Sequence, residues 1–299
     1  MIMSASIGTA RTEAAAAAIR HHYDAGNEFY RLWLDSSLSY SCAWREKPDD
    51  TLELAQENKL RHHLDAVDSA GAESVLDIGC GWGAILQRLS GRGVARSVGL
   101  TLSPKQAEYV NSLGLPGVSV RLENWLDYRP ERPFDGIISI GAFEHFATPE
   151  DSPEQKIAVY REFFERCRDW LRPGGALSLQ TIAYANMARE QASSFMQQEI
   201  FPDADLPTLA EITAAAEGIF EVRSLSNGRL DYAWTCGEWA RRLRENREAA
   251  TELVGAEQVA RYQRYLKLSA LGFRMGKIGL LRLVMTPYGS GFFSTEAGR

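Results

Sequence analysis

The chain has 299 residues, of which 45% are hydrophobic and 24% charged, and its formal net charge is −6 at pH 7. This composition predicts a soluble globular protein of one elaborated domain, or one domain with a cap, and it disfavours RNA or DNA as a partner. No uncharged apolar segment approaches the roughly 20 residues that a membrane span needs. The four cysteines lack metal-ligand or disulfide spacing, which predicts no metal site and a reducing, cytoplasmic location. They are Cys42, Cys80, Cys167 and Cys236.

The chain divides into four predicted regions, of which the first two carry most of the length. Residues 1–70 are expected to be helical, rich in aromatic residues, and to cap a pocket for cofactor and substrate. Strands and helices alternate over residues 71–226. In that region Ser103-Pro104 starts one helix, and a second helix runs from Pro153 to the Arg172-Pro-Gly-Gly segment. The predicted strands cover residues 74–79, 97–102, 118–125, 134–140, 176–182 and 220–225.

The last two regions complete the predicted fold. Residues 227–273 are expected to form two helices inserted as a lid, and residues 274–299 a final strand and a tail. The apolar stretch 271–288 contains Arg274, Lys277 and Arg282, so contact with a lipid surface is the alternative to a buried strand. The whole pattern predicts an α/β fold with a doubly wound, mostly parallel seven-stranded sheet. Ligands of such sheets bind beyond the carboxyl ends of the strands.

The most informative motif is SVLDIGCGWG at residues 74–83, an apolar strand followed by an alternating-glycine turn and a helix. Gly79, Gly81 and Gly83 would bring backbone N–H groups against a ligand at a helix N-terminus. A dinucleotide site would instead read G-x-G-x-x-G, with an acid about 20 residues further on. Here Asp77 precedes the glycines, and the next strand ends at Thr101 without an acid. The pattern favours S-adenosyl-L-methionine over a nicotinamide, with an ordinary strand-turn-helix as the remaining alternative.

Five segments in chain order resemble the cyclopropane fatty acid and mycolic acid synthases. They are HYDAGNEFY (22–30), SYSCA (39–43), LDIGCGWG (76–83), GLTLSPKQ (99–106) and SIGAFEHF (139–146). The resemblance covers nearly the whole chain, and the second and fifth segments are far more specific than the glycine turn. It implies a Rossmann-like class I methyltransferase that uses S-adenosyl-L-methionine.

The resemblance also implies which residues contact the cofactor. Hydroxyl groups and the glycine turn would bind the amino-acid end of the donor. Thr101 and Gln106 can bind its ribose without an acid, and the Trp125 ring suits the adenine. The complete predicted set is Tyr40, Ser41, Asp77, Gly79, Gly81, Gly83, Thr101, Gln106, Asn124 and Trp125.

The segment after the fourth predicted strand carries the candidate base. Glu144 and His145 are expected at the carboxyl end of that strand, facing the reactive methyl group. In the resembled family this glutamate helps to hold a bicarbonate ion that acts as the base, and the resemblance implies further residues around that ion. The complete predicted catalytic set is Glu144, His145, Cys42, Ile140, Gln180 and Tyr232.

Position 180 departs from the family pattern, because cyclopropane-forming members have histidine where this chain has Gln180. Glutamine donates a hydrogen bond to an anion, but it cannot take up or relay a proton near neutral pH. The departure weakens the implication of bound bicarbonate and of ring closure. We do not expect Cys42 to be a nucleophile, because no base is paired with it in the sequence.

These residues predict C-methylation of an alkene carbon in an apolar substrate, either an unsaturated acyl chain or an isoprenoid. Attack on the methyl group leaves a carbocation, which aromatic faces stabilise without acting as nucleophiles. Proton loss from the new methyl group closes a cyclopropane, and loss from a neighbouring carbon gives a methylated alkene. The alternative is N-methylation of an amine-containing small molecule, and a third hypothesis is a non-catalytic partner subunit that binds the cofactor.

The predicted lid helices carry arginines that suit three kinds of partner. Arg241, Arg242 and Arg244 are suited to contact a membrane surface or an acyl carrier, and also the phosphates of a prenyl diphosphate. Their helical spacing fits an ordinary solvated face equally well. The oligomeric state is not predicted.

Overall fold

The computed structural model of the chain describes residues 26–188, 191 and 205–289, so the predictions for residues 1–25 and for the tail after 289 lie outside it. The strands β1 to β7 span Ser74–Ile78, Arg96–Thr101, Val118–Leu122, Phe134–Ile140, Leu171–Tyr184, Phe220–Asn227 and Ile278–Pro287. The helices α1 to α9 span Asn27–Arg31, Leu52–Ala66, Ala84–Gly91, Pro104–Ser112, Pro153–Trp170, Leu209–Ala216, Arg229–Glu245, Arg247–Val254 and Ala256–Arg274. A short 3-10 helix, Phe143–His145, follows β4.

The seven strands form one sheet in the order β3-β2-β1-β4-β5-β7-β6. The pairs from β3 to β5 are parallel, and β7 pairs antiparallel with both β5 and β6. All five residues of β1 are buried, as expected for a parallel strand covered by helices on both faces. The chain winds outward in opposite directions from β1 and β4, so the switch point lies at their carboxyl ends. The predicted doubly wound, mostly parallel seven-stranded sheet is confirmed.

The helix ends follow the predicted signals. Ser103 accepts a hydrogen bond from the Gln106 N–H at the start of α4, where Pro104 takes the first helical position. At the start of α5, Ser152 and Gln155 form a reciprocal capping box. These caps satisfy the N–H groups that have no partner inside the helix, so each helix begins where its sequence signal indicates.

Three apolar clusters hold the molecule together. One packs α5 and α6 against one face of the sheet, and a second packs α2, α3 and α4 against the other face. The third joins the segment that contains α1 to helices α7 to α9, and it includes Trp82 from the glycine turn. We call this third unit the helical cap, comprising residues 26–55 and 229–274. Because Trp82 belongs to it, the cap lies on the side of the sheet where the glycine turn is exposed.

Two predicted elements need adjustment, and a third is confirmed. The third strand ends at Leu122, because the backbone carbonyl of Asn124 accepts bonds from two N–H groups that follow it and starts a turn. Residues 227–273 hold three helices instead of two, since the chain breaks at Asn246 and at Gly255, where φ is +82°. The final strand is confirmed as β7. Arg282 in that strand is 3% exposed, so the alternative of lipid contact is wrong for this residue.

Within residues 26–188 and 205–289, none of the helices combines the length and hydropathy that crossing a bilayer requires. The predicted region boundaries at residues 70, 226 and 273 stay predictions.

Candidate active site

A cavity of about 810 Å³ lies at the carboxyl ends of β1, β2 and β4. This volume is within the range of sites that bind cofactors and small substrates. Nine of the ten predicted cofactor residues line it, as do two predicted catalytic residues, Ile140 and His145. The nine are Tyr40, Ser41, Asp77, Gly79, Gly81, Thr101, Gln106, Asn124 and Trp125.

The glycine turn allows the backbone to approach a ligand at one position in particular. Gly79, Gly81 and Gly83 have φ of +82°, +54° and +79°, which other L-residues rarely adopt. A Cβ on Gly81 would meet no atom within 4 Å, so the chain is open to a ligand there. A Cβ on Gly83 would lie 2.9 Å from Val110 Cγ2. Gly83 is therefore required where α3 packs against α4, and it is absent from the residues that line the cavity.

Most N–H groups of this turn are used within the protein. The N–H groups of Gly79 and Cys80 both donate to the Leu100 carbonyl, at 3.0 and 2.9 Å, and that of Gly83 donates to the Cys80 carbonyl at 2.9 Å. The expectation that the turn offers these N–H groups to a ligand is wrong at these three positions, because nearby carbonyls already accept from them. The turn instead allows a ligand to come close to the backbone.

The end of β2 presents a fixed amide group to the cavity. Thr101 Oγ1 donates to Gln106 Oε1 at 2.8 Å and accepts from the Ser103 N–H at 3.1 Å. Because the amide oxygen of Gln106 already accepts from Thr101, its NH₂ group is the part that can donate to a ribose hydroxyl.

An aromatic wall lies at the end of β3. The Trp125 ring is 6% exposed, with centroids 4.9 Å from Phe146 and 5.4 Å from Phe163. Asn124 Oδ1 accepts from the Leu126 N–H at 3.0 Å, which fixes the loop that carries the indole. A flat ring held in this way suits the face of an adenine.

Two buried side chains that can carry opposite charges also line the cavity. Lys59 and Asp77 are each 2% exposed, and Lys59 Nζ donates to Ser41 Oγ at 3.1 Å. Burial lowers the pKa of Lys59 to about 8, although Asp35 opposes this. Burial raises the pKa of Asp77 to about 7, although Lys59 opposes that. An amino-acid zwitterion complements such a pair, so these residues fit the methionine end of S-adenosyl-L-methionine.

Glu144 is a second buried carboxyl, 5% exposed in the 3-10 helix after β4. Its Oε1 accepts from the Ile182 N–H at 2.6 Å, and its Oε2 has no hydrogen-bond partner among the described residues. Burial raises the pKa of this carboxyl to about 7, although the Ile182 N–H and the nearby Thr181 hydroxyl both oppose the shift. A carboxyl with a near-neutral pKa and an unpaired oxygen has the properties of a general base.

Cys42 and Gln180 are bridged by an arginine that the sequence analysis did not place in the site. Arg282 in β7 donates from Nε to Gln180 Oε1 at 2.8 Å. From Nη2 it donates to Cys42 Sγ at 3.3 Å and to the Ala43 carbonyl at 3.0 Å. Burial raises the pKa of Cys42 to about 12, although Arg282 opposes this, so the side chain is a thiol at neutral pH. The thiol state agrees with the expectation that Cys42 is not a nucleophile.

Tyr232 and His145 complete the predicted catalytic set. The Tyr232 ring stacks on Phe273 with centroids 4.5 Å apart. Burial raises the Tyr232 pKa, and Cys42 and Glu144 are near enough to raise it further. Burial lowers the pKa of His145 to about 4, so its imidazole is neutral at pH 7. Of the predicted catalytic residues, His145 and Ile140 line the cavity. The other four lie near one another but do not line it: Glu144, Cys42, Gln180 and Tyr232.

The sequence analysis missed several residues of this region. Lys59 and His63 recur four residues apart on the buried face of α2, after the buried Gln56, and this polar pattern at helical spacing was a usable signal. Arg282 interrupts an apolar strand, which was a second signal. Glu162 and Arg166 of α5 also line the cavity, and their sequence gives no such indication.

The switch-point cavity, the glycine turn and the groups matched to a zwitterion, a ribose and an adenine define a class I S-adenosylmethionine-dependent methyltransferase. The chain belongs to the mycolic acid cyclopropane synthetase family, whose model matches residues 10–283. The family resemblance predicted from the five segments is confirmed.

Relatives of known name support this assignment. Cyclopropane mycolic acid synthase 2 of Mycobacterium bovis is 31% identical over 268 residues, which cover 84% of this chain and 87% of that protein. A probable fatty acid methyltransferase of Pseudomonas putida is 31% identical over 292 residues, which cover 94% and 71%. The crystal structure of mycolic acid cyclopropane synthase CmaA1 complexed with SAH and CTAB matches with a TM-score of 0.82 at 32% identity, covering 91% of this chain and 98% of that one.

Proposed function

We propose that this methyltransferase acts on an electron-rich alkene carbon in an apolar chain, either an unsaturated acyl chain or an isoprenoid. Its relatives include cyclopropane mycolic acid synthases and a probable fatty acid methyltransferase, whose names point to acyl substrates. The observation that carries the proposal is the buried Glu144 carboxyl with its unpaired oxygen. A base is required here because methyl transfer to an alkene leaves a carbocation, which must then lose a proton.

The chain's own residues would first fix the donor. Bound S-adenosyl-L-methionine supplies a methyl group on positively charged sulfur. Lys59 and Asp77 would pair with the carboxylate and ammonium of its amino-acid end, Gln106 would donate to its ribose, and Trp125 would cover its adenine. Ile140, in the cavity wall at the end of β4, would exclude water beside the sulfur.

Aromatic rings near Glu144 would then stabilise the positive charge on the substrate. When the π electrons of the alkene form a bond to the methyl carbon, the other alkene carbon becomes a cation. Tyr160 and Tyr232 are near enough for Glu144 to raise the pKa of each, and Phe143 stacks on Tyr160 with centroids 4.4 Å apart. Such ring faces attract a cation without adding to it.

Glu144 would finally take a proton from the cation. The electrons of the broken C–H bond form the closing bond of a cyclopropane if the proton leaves the new methyl group. They form a new alkene if it leaves a neighbouring carbon. In both cases Oε2 of Glu144 receives the proton and later returns it to solvent, so charge and atoms balance.

Bicarbonate is implied by the family resemblance, but the residues present do not fit it in the expected manner. The ion would need hydrogen-bond donors from Cys42 and from position 180. Here the Cys42 thiol donates to the Ala43 carbonyl at 3.0 Å, and the Gln180 oxygen accepts from Arg282. We therefore derive no step through bicarbonate.

The arginines of the helical cap give weak support for a membrane or acyl-carrier partner. Arg241 pairs with Glu238 and Glu245, and Arg242 pairs with Glu53. Charges already paired in this way attract an anionic partner less, which favours the interpretation of a solvated helix face.

The proposal is tested by offering purified protein a donor whose methyl group carries deuterium. Three acceptor pools are compared by mass spectrometry: unsaturated phospholipid, prenyl diphosphates and small aromatic amines. We expect label in an alkene pool, with two deuterium atoms retained after ring closure or three after proton loss from a neighbouring carbon. Label confined to the amine pool would overturn the proposal and establish N-methylation.

A further inference from the structure

Arg282 is built into the interior with its guanidinium fixed on several sides. It stands directly opposite Gln180 in the antiparallel pairing of β5 and β7. Its carbon Cζ lies 4.7 Å from the centre of the Trp44 ring. A Cβ at Gly228 would collide with its Nη1, so the absence of a side chain at that position admits the guanidinium. At 3% exposure, this is a charged group that the fold has made room for.

The charge of Arg282 is only loosely balanced by acids. Among the described residues Asp231 is the carboxylate paired with it, with Oδ2 at 4.0 Å from Nη1, at the limit of an ion pair. His63 adds a second contact to the same amide, with Nε2 3.5 Å from Gln180 Oε1, and burial lowers its pKa so that it stays neutral. Burying a cation without a close counter-ion is unfavourable, so its retention calls for a function.

The Cys42 thiol and the Nε and Nη2 donors of Arg282 are already in use, whereas the NH₂ group of Gln180 has no hydrogen-bond acceptor among the described residues. Nε and Nη2 of Arg282 donate to Gln180, Cys42 and Ala43. The Cys42 thiol donates in turn to the Ala43 carbonyl. A small oxyanion held between Cys42 and Gln180 could accept from the Gln180 NH₂ group, but it would have to displace the bonds that Arg282 and the Cys42 thiol already make.

We propose that Arg282 is a positioning residue that locks Gln180 and Cys42 together in place of a bound oxyanion, so that this enzyme works without bicarbonate and Glu144 is its base. The inference rests on the proposed function. Glu144 is suited to act alone because its Oε2 is unpaired. The methyl transfer and the proton transfer stay as described above, with no further reactant.

The first test uses the unaltered protein. Turnover of the alkene substrate is measured in buffer freed of carbon dioxide and then with increasing sodium bicarbonate. The line width of ¹³C-labelled bicarbonate is followed by NMR with and without the protein. We expect the same rate throughout and no broadening. A saturable rise in rate, or broadening that the protein causes, would overturn the inference and leave the proposed function intact. Absence of alkene methylation under every condition would instead refute the proposed function.

The second test changes the bridge. Arg282→Gln should lower kcat by up to about a hundredfold through misplacement of Gln180 and Cys42, while the dissociation constant of SAH is unchanged. Arg282→Lys keeps the charge but loses the forked contact, so we expect only partial rescue. Arg229→Gln is the matched control, because Arg229 donates to carbonyls at the end of α9. An unchanged kcat in Arg282→Gln would contradict the inference.

The third test converts the site. Gln180→His combined with Arg282→Gln removes the bridge and the bond that Cys42 Sγ accepts from Arg282. We expect this double variant to gain a bicarbonate-dependent rate and to broaden the ¹³C signal. A correctly folded double variant, shown by SAH binding, that stays indifferent to bicarbonate would count against the proposal.

Discussion

Replacing Glu144 by glutamine separates the chemistry of this residue from its structural role. Glutamine has nearly the same volume, and its amide oxygen can still accept the Ile182 N–H that now reaches Oε1 at 2.6 Å. The amide nitrogen that replaces Oε2 cannot take up a proton near neutral pH. The fold and the donor site, which Glu144 does not line, should therefore be preserved.

The size of the effect follows from the properties of the carboxyl. A positioned general base contributes typically 10² to 10⁴ in rate. A hundredfold loss corresponds to about 2.7 kcal/mol in the activation barrier. We expect Glu144→Gln to lower kcat by at least about a hundredfold and to leave SAH affinity unchanged.

The pH profile provides a second signature. Burial raises the pKa of Glu144 to about 7, and the carboxylate is the form that accepts a proton. In the unaltered enzyme with donor and substrate saturating, kcat should therefore fall about tenfold per pH unit below 7 and level off above it. The Glu144→Gln variant should not show this fall in rate at low pH.

The assay combines turnover of labelled donor over a pH series with calorimetric titration of SAH. Glu217→Gln, at an exposed position, serves as the control for removal of a carboxyl. Retention of full kcat would refute the role of Glu144 as base. Loss of SAH binding would assign it a structural role instead.

Three further predictions concern the donor site and the stability of the fold. Lys59→Met should weaken SAH binding by about 1.5 to 3 kcal/mol by titration calorimetry, and in the unaltered protein the affinity should fall above about pH 8 as Lys59 loses its proton. Gly79→Ala should lower the free energy of unfolding in urea by about 1 to 3 kcal/mol, because φ is +82° and the new Cβ would lie 2.6 Å from that of Ala142. Lys156→Met should lower it by about 3 to 5 kcal/mol, because it removes the ammonium group that lies 2.8 Å from the buried Asp205 carboxylate.

Matched variants control these three experiments. Lys47→Met removes an exposed lysine and should leave SAH affinity unchanged. Gly81→Ala has a positive φ but open space around the new Cβ, so it should be less destabilising than Gly79→Ala. Arg168→Met breaks an exposed pair with Asp169 and should change stability by less than about 1 kcal/mol. Equal effects in a variant and its control would contradict the corresponding argument.

Much of the fold could be predicted because its signals are local. The capping pair Ser103-Pro104, the helix end at Trp170 and the apolar strands each lie within a few residues of the structure they specify. The three helices α7 to α9 were predicted as two because the breaks at Asn246 and Gly255 are single residues within long helical patterns. The family segments identified the class of enzyme for the same reason, since each is a continuous run of sequence.

The N–H groups of the glycine turn show where local reasoning fails. The sequence indicated a turn with donors free for a ligand. In the fold, the carbonyl of Leu100 comes from the neighbouring strand and accepts from Gly79 and Cys80. Whether the N–H groups of the turn donate to a ligand or to a protein carbonyl depends on strand pairing. Strand pairing is a property of the whole sheet and not of the turn.

The sequence by itself determined the order of strands and helices, the glycine turn and the family, because hydrophobic periodicity, capping and turn chemistry act over a few residues. The tertiary structure alone decided which charges meet inside the protein. Arg282 reaches Gln180 and Cys42 across separations of 102 and 240 residues, and Lys59 reaches the donor cavity from a helix that precedes β1. Buried charges are stabilised by partners brought near in space, so their roles follow from the packing of distant segments and not from the sequence around each residue.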